Sequence, residues 1–153
     1  MPSMLELGEQ ILAAQPFSAL LQSRLTVFAE GTAELVIPLR PQLLQQHGFV
    51  HGGVLSYAAD NALTFAGGSV LGPAVVTSEY KINYVKPAQG ETLIARASVI
   101  ASGKRQAVCR CDLFVDDGER ETLCATALGT IARLSSSSGA AQESAANSGD
   151  QDG

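Results

Sequence analysis

Asp60 lies inside a run that is otherwise almost free of charge, and a glycine-broken turn, His51-Gly52-Gly53, opens that run. The stretch 45–64 reads QQHGFVHGGVLSYAADNALT. Burying an unpaired carboxylate costs several kcal/mol or forces a pKa shift, so an acid among alanines and leucines points to chemistry. Such an acid serves as a general base toward water or as a nucleophile, and the residue types leave both open. The two glycines fall where the apolar run becomes helical. The first amides of a helix lack intrahelical partners, the helix dipole is positive there, and a glycine lets a substrate carbonyl come close. Together these make an oxyanion-type site. Thr64 follows Asp60 at i+4, on the same helical face, within reach of it or of a water. His51 is either a base or an imidazole that buttresses the loop, and the second role is the commoner one. His47 reads as loop surface.

These groups need a scaffold. Residues 4–14 repeat apolar positions at helical spacing (Leu5, Leu7, Ile11, Leu12), and Pro16 is expected to end that element. Two short strand-like runs follow at 25–29 and 33–39, split by Gly31. The helix over 53–70 is apolar nearly all round, so it should be buried nearly all round, with Gly67-Gly68 and Gly72-Pro73 ending it. Strands follow over 75–85, 92–100, a run in which Ala107, Cys109, Cys111, Leu113 and Val115 share one face, and 123–134. Asp116-Asp117-Gly118 signals a hairpin. One long helix followed by an antiparallel meander predicts an α+β fold in which a curved sheet wraps that helix. The acidic Ser/Ala/Gly-rich tail, 135–153, holds no aliphatic larger than Ala and no aromatic, so it is expected to be disordered outside a single domain over 1–134.

Composition narrows the function classes. The chain has 153 residues, 46% hydrophobic and only 16% charged, enough for one core and low in charge for a free monomer. Apolar surface is therefore expected to be covered by a second copy. The net charge is −5, and the tail contributes Glu143, Asp150 and Asp152 to it. No basic patch with interleaved aromatics speaks for nucleic acid, and no apolar run reaches membrane-spanning length. The three cysteines, Cys109, Cys111 and Cys124, show no zinc spacing, so no metal is expected and a reduced, cytoplasmic setting is. The acidic N-terminal stretch lacks the basic start of a secretory leader.

The pattern Gly48, His51-Gly52-Gly53 and then Asp60, followed by an antiparallel sheet carrying the Tyr84-Val85-Lys86-Pro87-Ala88 turn, resembles the hotdog-fold acyl-CoA thioesterases, in particular the subgroup typified by the phenylacetate-pathway enzymes. The resemblance covers roughly residues 20–134. It implies a hotdog fold and hydrolysis of an aryl- or medium-chain acyl-CoA to the free acid and CoA, with no cofactor other than the coenzyme A of the substrate. It implies that the Gly52 N–H polarises the thioester carbonyl, with Gly53 beside it, and that Asp60 attacks or activates water. Gln45, with Gln46 as its rival, matches the amide that orients carbonyl or water, and Thr77, with Ser78 as its rival, matches a strand hydroxyl that helps place water. Tyr57 and Phe65 are candidates to line the acyl pocket. Ser102-Gly103-Lys104-Arg105, a glycine turn with two cations, suits a phosphate, and in the family this turn approaches the nucleotide of coenzyme A.

Asp60 lies eight residues after Gly52, about 12 Å along one helix at 1.5 Å per residue. Both can act on one thioester only if they come from different copies. The resemblance implies two antiparallel helices side by side, hence a homodimer as the active unit and assembly to a homotetramer. Two other classes stay open: a hydratase or dehydratase on the same fold, which would ordinarily pair a His with the acid, and a non-enzymatic acyl-CoA binding module, which would need an output domain. Thiol release from a panel of acyl-CoA substrates separates them.

Overall fold

The computed structural model describes residues 1–135 of the chain. The expected disordered tail therefore lies, apart from its first residue, outside the described residues. In chain order the elements are α1 (Met4–Ala13), α2 (Pro16–Leu21), β1 (Arg24–Ala29), β2 (Thr32–Pro38), a short 3-10 turn (Pro41–Leu43), α3 (Gly52–Leu71), β3 (Val75–Tyr84), β4 (Thr92–Ser102), β5 (Gln106–Asp116) and β6 (Glu121–Arg133). The six strands form one antiparallel sheet in the order β1-β2-β4-β5-β6-β3. The connection through α3 thus carries the chain from β2 to the opposite edge, and β3 becomes an edge strand. The sheet curves around α3, which packs against β2 to β6. This is the hotdog architecture.

Alternation along the strands builds the inner face. Leu93, Ala95 and Ala97 of β4 and Ala107, Cys109, Cys111, Leu113 and Val115 of β5 are all buried, as the period-two pattern requires. They meet Leu55, Ala58, Ala59, Ala62, Leu63 and Ala66 of α3 in one core. Small helix residues let the sheet approach closely.

Three expectations are corrected. Pro16 does not merely end the first helix. It occupies the first turn of α2, where its missing N–H costs nothing. α3 runs through Gly67-Gly68 instead of stopping there, because Gly67 lies where an added Cβ would sit 2.6 Å from Ile131 of β6. Close helix–sheet packing requires that glycine. Nor is α3 buried all round: ten of its residues are buried, but Gly52, Ser56, Asp60 and Thr64 form a half-open stripe at i, i+4 spacing. One sheet covers only one side of a helix, so the side that carries Ser56, Asp60 and Thr64 is left half-open.

Candidate active site

Asp60 projects from the middle of that stripe toward the start of β3. Thr77 Oγ1 donates a hydrogen bond to Asp60 Oδ1 at 2.7 Å, and Thr64 Oγ1 lies 2.9 Å from Thr77 Oγ1 and 2.8 Å from the Asp60 carbonyl oxygen. A hydroxyl has one proton. Thr77 spends its proton on the carboxylate, while Thr64 gives its own to Thr77 or back to its own helix. Thr77, not the exposed Ser78, faces the acid. The cause is a β-bulge between Thr77 and Glu79, which adds one residue to β3 opposite β6. It turns Thr77 to the same side as Tyr80, Ile82 and Tyr84.

The second group assembles at the start of α3. His51 is the N-cap residue, and its Nδ1 accepts the Gly53 N–H at 2.8 Å. That places the imidazole proton on Nε2 and leaves no basic nitrogen free. The His51 carbonyl takes the Val54 N–H at 2.9 Å, and the His51 N–H donates to the Leu43 carbonyl at 2.9 Å. The Gly52 N–H has no acceptor among the described residues. Gly52 lines a groove of about 370 Å³ together with Gln45, Leu55, Tyr84 and Lys86. Gln45 is half-buried in this lining and Gln46 is exposed. Gln45 Oε1 accepts the His47 N–H at 2.5 Å, which fixes the side chain within its own loop.

The structure therefore holds two groups apart along a single α3, an acid half with a threonine pair and an amide half with a glutamine. A second cavity, of about 360 Å³, adjoins the acid half. It lies between α1, α3 and the start of β3, with Leu7, Ile11, Phe28, Asn61, Thr64 and Phe65 among its walls. Phe65 is thus at this cavity, whereas Tyr57 is drawn away from it. The Tyr57 hydroxyl bonds Ser18 Oγ at 2.5 Å and Ser23 Oγ at 2.7 Å, accepts from Asn61 Nδ2 at 3.1 Å, and its ring packs edge-on against Phe17. Tyr57 ties α2 to α3. A further depression, about 670 Å³, lies on the outer face of the sheet among residues such as Lys81, Arg110 and Leu128, away from both groups.

Ser102, Gly103, Lys104 and Arg105 form the exposed β4–β5 turn. Arg105 accepts the Arg133 N–H through its carbonyl, and Arg133 Nε donates to the Leu71 carbonyl that ends α3. The turn is therefore at the far end of α3 from Gly52. Burial pushes the thiols of Cys109 and Cys124 up to about 11 and that of Cys111 higher still, which disfavours a thiolate at all three. No group of three or more His, Cys, Asp or Glu among the described residues is arranged to hold a metal, and no described helix is long and apolar enough to cross a membrane.

Sequence reasoning missed Tyr84, whose hydroxyl donates to the Gly52 carbonyl at 3.1 Å, and the hydrogen bond between Ser56 Oγ and the Tyr80 hydroxyl. Ser56 was findable, being at i+4 from Gly52 and i−4 from Asp60. The tyrosines were not, because the bulge sets their side of the strand.

A curved antiparallel sheet thus wraps one long helix that carries an acid in its middle and a histidine-capped glycine start. The chain belongs to the thioesterase superfamily, whose family model matches residues 47–122. A thioesterase family protein from Silicibacter pomeroyi is 34% identical, with a TM-score of 0.77 over 82% of this chain and 93% of that one. The acyl-coenzyme A thioesterase PaaI of Escherichia coli is 38% identical over 80 residues, 52% of this chain and 56% of that protein. The structure of E. coli PaaI, from the phenylacetic acid degradation operon, gives a TM-score of 0.75 at 25% identity over 84% of this chain and 91% of that one. The medium/long-chain acyl-CoA thioesterase YigI of E. coli is 24% identical over 127 residues, 72% of this chain and 82% of that protein. The matched stretch spans 66% and 56% of the length of two of the curated relatives.

Proposed function

We propose that the chain hydrolyses an acyl-CoA thioester to a carboxylic acid and free CoA, at sites shared between two copies. The observation that carries the reading is the Asp60 carboxylate, bonded by Thr77 on the open stripe of an otherwise apolar helix. The Gly52 N–H would polarise the thioester carbonyl, with Gln45 beside it, and the developing oxyanion would strengthen that bond in the transition state. Asp60 of the partner copy would take a proton from the attacking water, or attack the carbonyl itself to give an anhydride that water then cleaves. In both routes the CoA thiolate leaves and the acid is released. Single-turnover hydrolysis in isotopically labelled water tests the covalent route, since label in the carboxylate of Asp60 requires an anhydride cleaved at the Asp60 carbonyl.

Geometry supports the shared site. The open stripe of α3 and the unpaired edge of β3 are adjacent, so a two-fold contact there covers both at once. Pairing Asp60 with the partner's Gly52 centres the axis near Ser56. The Lys104-Arg105 turn, level with the end of α3 at Leu71, then lies about 16 Å beyond the partner's Gly52. That offset suits an extended pantetheine arm with a nucleotide at its end. The apolar cavity beside Thr64 would take the acyl group, aryl or medium-chain. Further pairing of dimers would give a tetramer.

The test is thiol release from a panel of aryl-, short-, medium- and long-chain acyl-CoA thioesters. The buried cysteines keep the protein's own thiols from contributing background. Turnover of at least one member, lost in Asp60→Asn, is expected. Binding without turnover across the panel would refute the reading and leave the binding-module class standing.

A further inference from the structure

Three hydroxyls on β3 reach the open stripe of α3 at successive turns. Thr77 bonds Asp60, Tyr80 bonds Ser56 Oγ, and Tyr84 bonds the Gly52 carbonyl. The bulge at Ser78 makes this possible, since plain alternation would put Thr77 and Tyr80 on opposite faces. The rung at Asp60 acts on a side chain. The rung at Gly52 acts on backbone, and on the peptide next to the free amide.

That peptide is held at both ends. The Gly53 N–H is taken by His51 Nδ1 at 2.8 Å, and the Gly52 carbonyl accepts from Tyr84 at 3.1 Å. On the other side of the Gly52 N–H, the His51 carbonyl is committed to Val54. Glycine has the widest φ/ψ freedom of any residue, so two adjacent glycines hold the first turn of a helix less firmly than other residues would, even with the Gly52 carbonyl in the helix ladder. An added Cβ on Gly52 would sit 3.3 Å from the Tyr84 hydroxyl, and one on Gly53 would sit 3.0 Å from His51 Nδ1. The room given up by the missing side chains is filled by the two groups that fix the peptide.

We propose that Tyr84 is a positioning residue. Its hydroxyl, opposite the His51 cap, holds the Gly52–Gly53 peptide so that the Gly52 N–H is aimed into the groove before substrate arrives. This inference rests on the thioesterase reading and adds a residue to it. Fixing a donor in advance stabilises charge that exists only in the transition state, so its loss falls on kcat and leaves ground-state binding nearly intact.

The experiment compares Tyr84→Phe with Tyr80→Phe, which removes the same kind of bond from the same strand at Ser56. Steady-state kinetics on the best acyl-CoA is read together with hydrogen exchange at the Gly53 amide. Losing one neutral hydrogen bond predicts that Tyr84→Phe lowers kcat about five-fold with KM little changed. The Gly53 amide should exchange faster in Tyr84→Phe, while Tyr80→Phe changes neither quantity. Equal effects of the two variants, a loss carried by KM, or unchanged Gly53 exchange in Tyr84→Phe would overturn the proposal. Wild-type protein that hydrolyses no thioester would instead count against the enzymatic reading, and the exchange comparison then decides whether Tyr84 fixes the peptide.

Discussion

Thr77→Val removes one hydroxyl and nearly nothing else. Valine keeps the β-branched shape that β3 favours, so the strand and its bulge should persist. What disappears is the donor 2.7 Å from Asp60 Oδ1. Thr64 also loses its 2.9 Å neighbour but retains the Asp60 carbonyl as acceptor. A hydrogen bond to a charged group is worth about 1.5–3 kcal/mol, and a half-open site belongs at the lower end. If that bond fixes the carboxylate in the reacting geometry, kcat falls about tenfold, since 1.4 kcal/mol is a factor of ten. The assay is steady-state thiol release, with a thermal melt recorded on the same samples. Thr77→Ser keeps the donor and should recover most of the activity. If Thr77→Val turns over at the wild-type rate, or if Val and Ser are equally impaired, the bond does not position Asp60 and the argument fails.

Other outcomes follow from packing and charge. Gly67→Ala forces a Cβ to 2.6 Å from the fully buried Ile131, an overpacking that costs about 1–3 kcal/mol and should lower the melting temperature by about 2–4 °C for each of them; an unchanged melt would show that α3 moves away from β6 freely. Arg105→Ala should raise KM for acyl-CoA while leaving a short pantetheine thioester unaffected, and equal damage to both substrates would mean the turn does not meet the nucleotide.

The legible parts of this molecule are those set by local pattern. Alternation from Thr92 onward reads directly as strands because one face is core, and Asp60 stands out because its neighbours are apolar. The His51-Gly52-Gly53 turn is visible because helix starts have their own chemistry. What was hidden depends on pairing across long sequence separations. The bulge at Ser78 is fixed by register against β6, and only that register decides that Thr77 and Tyr84 look toward α3. Tyr57 shows the same limit in reverse. Its place on α3 suggested a pocket wall, but its hydroxyl is claimed by α2, an element that the sequence reading did not include after Pro16. The open side of α3 was misjudged because an apolar helix reads the same whether its cover is its own sheet or a second copy.

The central claim is that one thioester is worked on by Gly52 of one copy and Asp60 of another. Subunit complementation tests it most directly. Asp60→Asn keeps volume and removes the base or nucleophile, a change expected to lower kcat by about two to four orders of magnitude. Gly52→Val crowds the Tyr84 hydroxyl and spoils the amide. Each variant alone should be inactive. After exchange, a mixed dimer holds one doubly damaged site and one intact site, so thiol release should return in proportion to the heterodimer formed. Heterodimers that form in quantity and remain inactive would contradict the shared site and require both groups to be found within one chain.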